Sequence, residues 1–225
     1  MTIKKNDKPV IIINCKTYAQ ASGKQAVQLA RSITSVIPKK AEILLSVQAP
    51  DIHACSKTGV FILAQHIDSV PQGGFTGKIN VKSLIDNSAI GSLVNHSEDP
   101  VSFKEISACV SILHQHKLLS IVCVKNPRMA RRVAKLAPDF IAIEPPKLIG
   151  GDVSVTNADP QIILRTVNEV NKINPSIKVL CGAGVKTGDD TKKALELGCA
   201  GVLVASGVTK ADDQKKAIED LISKI

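Results

Sequence analysis

Phe140-Ile141-Ala142-Ile143-Glu144-Pro145-Pro146-Lys147-Leu148-Ile149-Gly150-Gly151 is the stretch on which the reading of this chain turns. Phe140 to Ile143 is a short apolar run of the kind that forms a buried parallel strand, and Glu144 delivers a carboxylate where that strand stops. Pro145 and Pro146 deny the following backbone a helix, and Gly150-Gly151 restore its freedom. The loop therefore has a stiff entry and a loose exit, the build of a lid that swings as one piece. An acidic residue in an ordinary strand-to-helix loop fits the same letters, and the rest of the chain decides between the two.

Outward from this stretch, the same kind of run recurs. Strand-like segments begin near Val10 (VIIIN), Ile43 (ILLSV), Phe61 (FILAQ), Ala89 (AIGSLVN), Leu119 (LSIVCV), Phe140 (FIAIE), Lys178 (KVLCGAG) and Gly201 (GVLVASG). Eight runs in this length leave about 28 residues each, close to the size of a strand–helix–strand step. Amphipathic patterns fill most gaps: residues 23–36 carry Val27, Leu29, Ala30 and Ile33, residues 102–116 carry Ile106, Val110 and Leu113, and residues 160–173 carry Ile163, Val167 and Val170. Asn126-Pro127 reads as an N-cap followed by a proline at the first helical position, and residues 187–197 and 211–225 complete the series. Strand then helix, eight times over, predicts an α/β chain folded as a (β/α)8 barrel, one domain over residues 1–225.

Composition agrees. Hydrophobic residues make up 44% and aromatics only 2%, so the core is Ile, Val, Leu and Ala, the mixture that parallel strands and their covering helices use. The longest apolar runs are strand-sized, far short of a membrane span. The start, Met1 to Lys8, is charged and lacks the apolar centre of a signal peptide. Six cysteines (Cys15, Cys55, Cys109, Cys123, Cys181, Cys199) are scattered with no C-x-x-C pair, so reduced structural thiols and a cytoplasmic location are expected. The net charge of +9 is dispersed, and one Tyr with no Trp offers few platforms for stacking bases. Neither nucleic acid nor membrane is expected as a partner; a small phosphorylated metabolite suits the positive surface.

In such a barrel, functional groups come from strand C-terminal ends. The first strand ends in Asn14-Cys15-Lys16, and alternation would aim Asn14 and Lys16 at one place while Cys15 points away. The fourth ends in Val94-Asn95-His96-Ser97-Glu98, where a histidine can be a polarising electrophile, a general base or a metal ligand. The other histidines (His53, His66, His114, His116) fall in predicted helices or in the long loop after the third strand, and no metal site is expected. The seventh strand runs into Cys181-Gly182-Ala183-Gly184-Val185 and the eighth into Val204-Ala205-Ser206-Gly207-Val208. Small residues at both places let backbone N–H groups approach an anion closely, and barrels often hold a phosphate there.

With these residues assembled, the chain resembles a triosephosphate isomerase of the short archaeal type, from the first strand to the last. The resemblance is carried by NCKTY from Asn14, AQHID from Ala64, FTG from Phe75, NHSED from Asn95, EPPKLIGG from Glu144, CGAGV from Cys181 and LVASGV from Leu203. It implies interconversion of dihydroxyacetone phosphate and D-glyceraldehyde 3-phosphate through an enediolate, with no cofactor. In it Glu144 is the base, His96 the neutral electrophile and Lys16 a positive charge for the developing oxyanion. Asn14 helps place the substrate, Glu98 partners Lys16, and Ile149, Gly184, Ala205 and Ser206 offer backbone donors to the phosphate. The sequence departs from the family at the lid, where Lys147 stands in place of a common glutamate and a further small residue between the glycines is missing.

The loop of residues 65–80 is long for a barrel connection. By the same resemblance it inserts into a neighbouring subunit with Thr76 at its tip, so a homo-oligomer, dimer or tetramer, is expected. Two other readings compete. Another phosphate-binding barrel enzyme would share the last two turns without requiring Asn14, Lys16, His96 and Glu144 together, and a catalytically silent relative has only Lys147 to suggest it.

Overall fold

The computed structural model describes residues 8–36, 40–145 and 155–225. Among them, β1 (Val10–Asn14), β2 (Glu42–Val47), β3 (Phe61–Ala64), β4 (Gly91–Val94), β5 (Leu119–Val124), β6 (Phe140–Ile143), β7 (Lys178–Cys181) and β8 (Gly201–Val204) pair in parallel and in order. Pairing of β1 with both β2 and β8 closes the barrel.

Alternation along each strand explains why these runs are apolar throughout. Val10 and Ile12, Leu44, Leu63, Leu93, Ile121, Phe140 and Ala142, Leu180 and Leu203 pack together inside the barrel. Their neighbours Ile11, Ile13, Ile43, Leu45, Val122, Ile141, Val179 and Val202 pack outward against the helices. Both faces are thus dry, and each fully buried Ile or Leu contributes about 2 kcal/mol.

The covering helices are α1 (Lys24–Ser35), α2 (Ile52–Ser56), α3 (Val81–Asp86), α4 (Phe103–Gln115), α5 (Pro127–Ala134), α6 (Val155–Ala158), α7 (Pro160–Ile173), α8 (Gly188–Glu196), α9 (Ser206–Thr209) and α10 (Gln214–Ser223). The expected long helices are found at nearly the expected bounds. Asn126 is an N-cap, accepting the Met129 N–H at 2.9 Å, and Thr187 with Asp190 forms a reciprocal capping box. The last helix begins later than its pattern suggests because Asp213 caps it, accepting from the Lys216 N–H. In α1 the buried stripe uses Ala26, Leu29, Ala30 and Ile33, with Val27 only half-buried. The short α2, α3, α6 and α9 run four to six residues, too few for a helical period to show in sequence. No described helix is long and apolar enough to cross a membrane.

Where β8 closes onto β1, the backbones are in contact. Gly201 has φ +154°, and a Cβ there would lie 1.8 Å from the Val10 carbonyl oxygen. Gly201→Ala is therefore expected to destabilise the fold by about 3 kcal/mol, measured by denaturant unfolding; an unchanged midpoint would contradict the close approach.

Candidate active site

The parity that fills the barrel interior also loads its rim. Asn14 follows Ile12, Glu144 follows Ala142 and Gly182 follows Leu180, each two residues on, so all three stand on the inward side where the strands end. The Glu144 N–H donates to the Val124 carbonyl at 2.9 Å, which extends the β5–β6 ladder to the carboxylate and leaves the residue only 4% exposed. Gly182 is held in the same way, its N–H donating to the Ile143 carbonyl at 3.0 Å. A Cβ on Gly182 would fall 2.6 Å from the Glu144 Cγ. Small residues at this turn suggest anion approach; the contact of Gly182 is instead with the Glu144 carboxylate, for which it makes room.

His96 reaches the same point from the β4 end. Asn95 takes φ +61° to turn the chain, and its side chain braces the turn by donating to the Cys123 carbonyl at 2.8 Å and accepting the Val101 N–H at 3.1 Å. His96 Nε2 then lies 3.4 Å from Glu144 Oε1, while Nδ1 accepts the Glu98 N–H at 3.2 Å. A ring nitrogen that accepts carries no proton, so this is a neutral imidazole with its hydrogen on Nε2, aimed at the carboxylate.

The forces on that ring oppose one another. Burial pushes the His96 pKa down and is the largest single influence; the hydrogen bond to Glu144 and its charge push up, aided by Glu98 and resisted by Lys16, and the net is upward from 6.5. This upward pull favours the imidazolium, whereas the Glu98 N–H contact selects the neutral ring. The contact decides the form, because most of the pull lasts only while Glu144 faces Nε2. A molecule inserted between the two leaves burial and Lys16, which favour neutrality, against the weaker upward pull of Glu98.

Lys16 arrives by a route the alternation argument did not foresee. The strand stops at Asn14, and Lys16 adopts φ +48°, with its N–H donating to Asn14 Oδ1 at 3.0 Å. This turn, not strand alternation, brings the ammonium to the rim, while Cys15 points into the outer core. Lys16 Nζ meets Glu98 Oε1 at 2.6 Å, the expected pairing, and Gln65 Nε2 holds the Lys16 carbonyl at 2.9 Å. Among the described residues, the buried Glu144 Oε2 has no hydrogen-bond partner. That costs desolvation energy and leaves a lone pair free to accept a proton. Cys123 is buried below it and stays a thiol: burial first, then the Glu144 charge, raises its pKa well above the ordinary value.

These groups open onto a cleft of about 460 Å³, its mouth included. Asn14, Lys16, Tyr18, His96 and Glu144 line it together with Gly184, Val185, Lys186, Ala205 and Ser206. Asn14, Lys16, His96, Glu144, Gly184, Ala205 and Ser206, far apart in the chain, thus share one cavity. Ala205 and Ser206 stand where α9 starts, and first-turn N–H groups have no acceptor within their own helix. Tyr18 and Lys186 were not singled out from the sequence; Tyr18 closes the NCKTY motif, two positions beyond Lys16, and Lys186 directly follows CGAGV, two positions beyond Gly184. Thr76 lies exposed on the long β3–α3 loop and does not line this cleft. Lys147 and Ile149 lie outside the described residues. Among the described residues, no group of three or more His, Cys, Asp or Glu could hold a metal ion.

Comparison with known proteins finds a match to the family model described as triosephosphate isomerase over residues 9–224. The triosephosphate isomerase of Methanothermus fervidus is 42% identical over 221 residues, 97% of this chain and 100% of the relative. That of Methanothermobacter thermautotrophicus is 41% identical over 222 residues (97% and 96%), and that of Methanosarcina mazei 43% over 219 (96% and 99%).

The facing pair gives a titration test. Removing the carboxylate removes the main upward influence on the imidazole, so the His96 pKa, followed by NMR, is expected above 6.5 in the parent and to fall in Glu144→Gln. An identical titration in the two would contradict the 3.4 Å contact.

Proposed function

We propose a division of labour for an enzyme whose class is already fixed: the chain belongs to the triosephosphate isomerase family and interconverts dihydroxyacetone phosphate and D-glyceraldehyde 3-phosphate, a step common to glycolysis and gluconeogenesis. In this reading Glu144 takes the carbon-bound proton next to the substrate carbonyl, and the electron pair of that C–H bond moves into an enediolate. The Nε2–H of His96 donates to the oxygens on which charge develops, Lys16 supplies a fixed positive charge beside them, and Asn14 fixes the Lys16 turn. Protonated Glu144 then returns its proton to the neighbouring carbon, while the hydroxyl proton passes from one enediolate oxygen to the other by way of His96 Nε2, so that the carbonyl and hydroxyl exchange places. Gly184, Ala205 and Ser206 hold the phosphate by backbone N–H groups, away from the reacting carbons, so that binding energy is available for orientation.

The observation that carries the assignment is the 3.4 Å approach of His96 Nε2 to Glu144 Oε1 in one cleft, with both residues more than nine-tenths buried. An α-proton is too weak an acid for a hydrated carboxylate, and burial supplies the dry surroundings that the transfer requires. A protein kept for binding alone would have no use for a buried carboxylate oxygen without a partner. Six unpaired buried thiols suit the reducing cytoplasm, where we place the reaction, and we treat residues 1–225 as one barrel domain.

A homo-oligomer belongs to the same proposal. The base of the β3–α3 loop is fixed: the Asp68 N–H donates to the Ile79 carbonyl at 2.8 Å, and Asp68 accepts the Ile79 N–H at 2.8 Å and Lys78 Nζ at 2.9 Å. This rigid stem presents Phe75, 47% exposed, with Thr76 beside it, a combination that suits docking into a second copy.

In a coupled assay, Glu144→Ala is expected to lose about 10³-fold in kcat while phosphate-analogue binding survives; a fully active variant would remove Glu144 from the mechanism. Light scattering on the eluting protein is expected to give at least twice the 23.9 kDa of one chain. A fully active species of single-chain mass would end the oligomer proposal.

A further inference from the structure

AQHID, from Ala64 to Asp68, is the motif that the chemistry above leaves without a role. Its histidine stands between two carboxylates on different loops. His66 Nδ1 lies 3.0 Å from Asp99 Oδ2, and Nε2 lies 3.3 Å from Asp68 Oδ1. Asp68 is the buried residue that fastens the base of the β3–α3 loop through Lys78 and Ile79. Asp99 ends the short turn that carries His96 and Glu98, and its N–H donates to the His96 carbonyl at 2.9 Å.

That turn has two duties. The Glu98 N–H sets the tautomer of His96, and the Glu98 carboxylate holds Lys16. Glu98 lies two residues past His96, which the barrel fixes, and directly before Asp99, whose carboxylate is largely in solvent apart from the His66 contact. A displacement of Asp99 therefore moves the one amide that keeps the His96 hydrogen on Nε2, and with it the partner of Lys16. The residue before His66 acts on the other loop, since Gln65 Nε2 holds the Lys16 carbonyl.

We propose that His66 is a positioning residue for the isomerisation, clamping the turn of residues 96–99 through Asp99 to the anchored base of the β3–α3 loop, so that His96 and Lys16 face the substrate in register. It touches neither substrate nor the reacting atoms. The proposal rests on the reading of His96 as the electrophile, and it ties the conformation of the β3–α3 loop to the chemistry of the same subunit.

The test uses the full chain with His66→Ala, Asp99→Ala and the double variant. Each single change is expected to lower kcat about tenfold with KM within about twofold, as misplacement of a catalytic group does. The ¹⁵N spectrum of His96 should lose its single Nε2–H tautomer, the double variant should fall no further than either single, and His66→Gln, which can still donate to one carboxylate, should recover part of the loss. An unchanged kcat, additive losses in the double, or a loss that follows the thermal midpoint while the His96 spectrum stays native would overturn it. Should His66→Ala fail to fold, the more exposed Asp99→Ala carries the same readouts. His96→Gln separates the two claims: full activity there would sink the electrophile reading alone, whereas the His96 spectrum in the clamp variants still decides whether His66 positions the ring.

Discussion

A carboxylate with 4% of its surface exposed faces an imidazole across 3.4 Å, and the rest of this molecule can be read as the means of keeping it there. Burying an ionisable group costs several kcal/mol unless partners compensate, so the position is tenable only on a stiff frame. The closed parallel sheet is that frame. Its strands are apolar on both faces because lumen and helices both exclude water, and all eight deliver their C-terminal ends to one rim. Residues separated by more than a hundred positions, such as Asn14 and Glu144, thereby become neighbours without any local sequence relation.

The electrostatics at the rim form one connected set. Glu144 pulls on the His96 proton, the Glu98 amide occupies the other ring nitrogen, and the Glu98 carboxylate holds the Lys16 ammonium. On the mechanism proposed above, the substrate enters by replacing one contact, the direct one between Glu144 and His96. On that mechanism the Glu98 contacts to His96 and Lys16 would remain to hold their orientation; among the described residues the buried Glu144 Oε2 has no partner. Gly182 belongs to this design by omission, since a Cβ there would press into the Glu144 side chain.

Much of this was legible in the letters. All eight strands could be found because a buried parallel strand is a short apolar run, and Glu144 stood out as a charge directly after one. His96 and Lys16 were visible as polar residues at strand ends, and the turns that bring Gly184, Ala205 and Ser206 to the cleft as small residues in two successive loops. The geometry that joins them was not legible. Alternation wrongly supplied the reason for Lys16, because the strand stops two residues earlier and a left-handed turn completes the path. The role of Gly182 depends on a neighbour 38 positions away, and Tyr18 and Lys186 enter the cleft only through folding. The short helices α2, α3 and α9 have no period to read, and His66 looked like a loop histidine until its two carboxylates came together.

The most direct measurement of the central claim is a crystal structure with a bound phosphorylated inhibitor bearing a carbonyl or carboxylate in place of the reacting carbons. The account predicts that end between Glu144, His96 and Lys16, with His96 Nε2 donating to its oxygen, and the phosphate against the backbone of Gly184, Ala205 and Ser206. An inhibitor seated elsewhere, or bound here with its phosphate at Glu144, would contradict it.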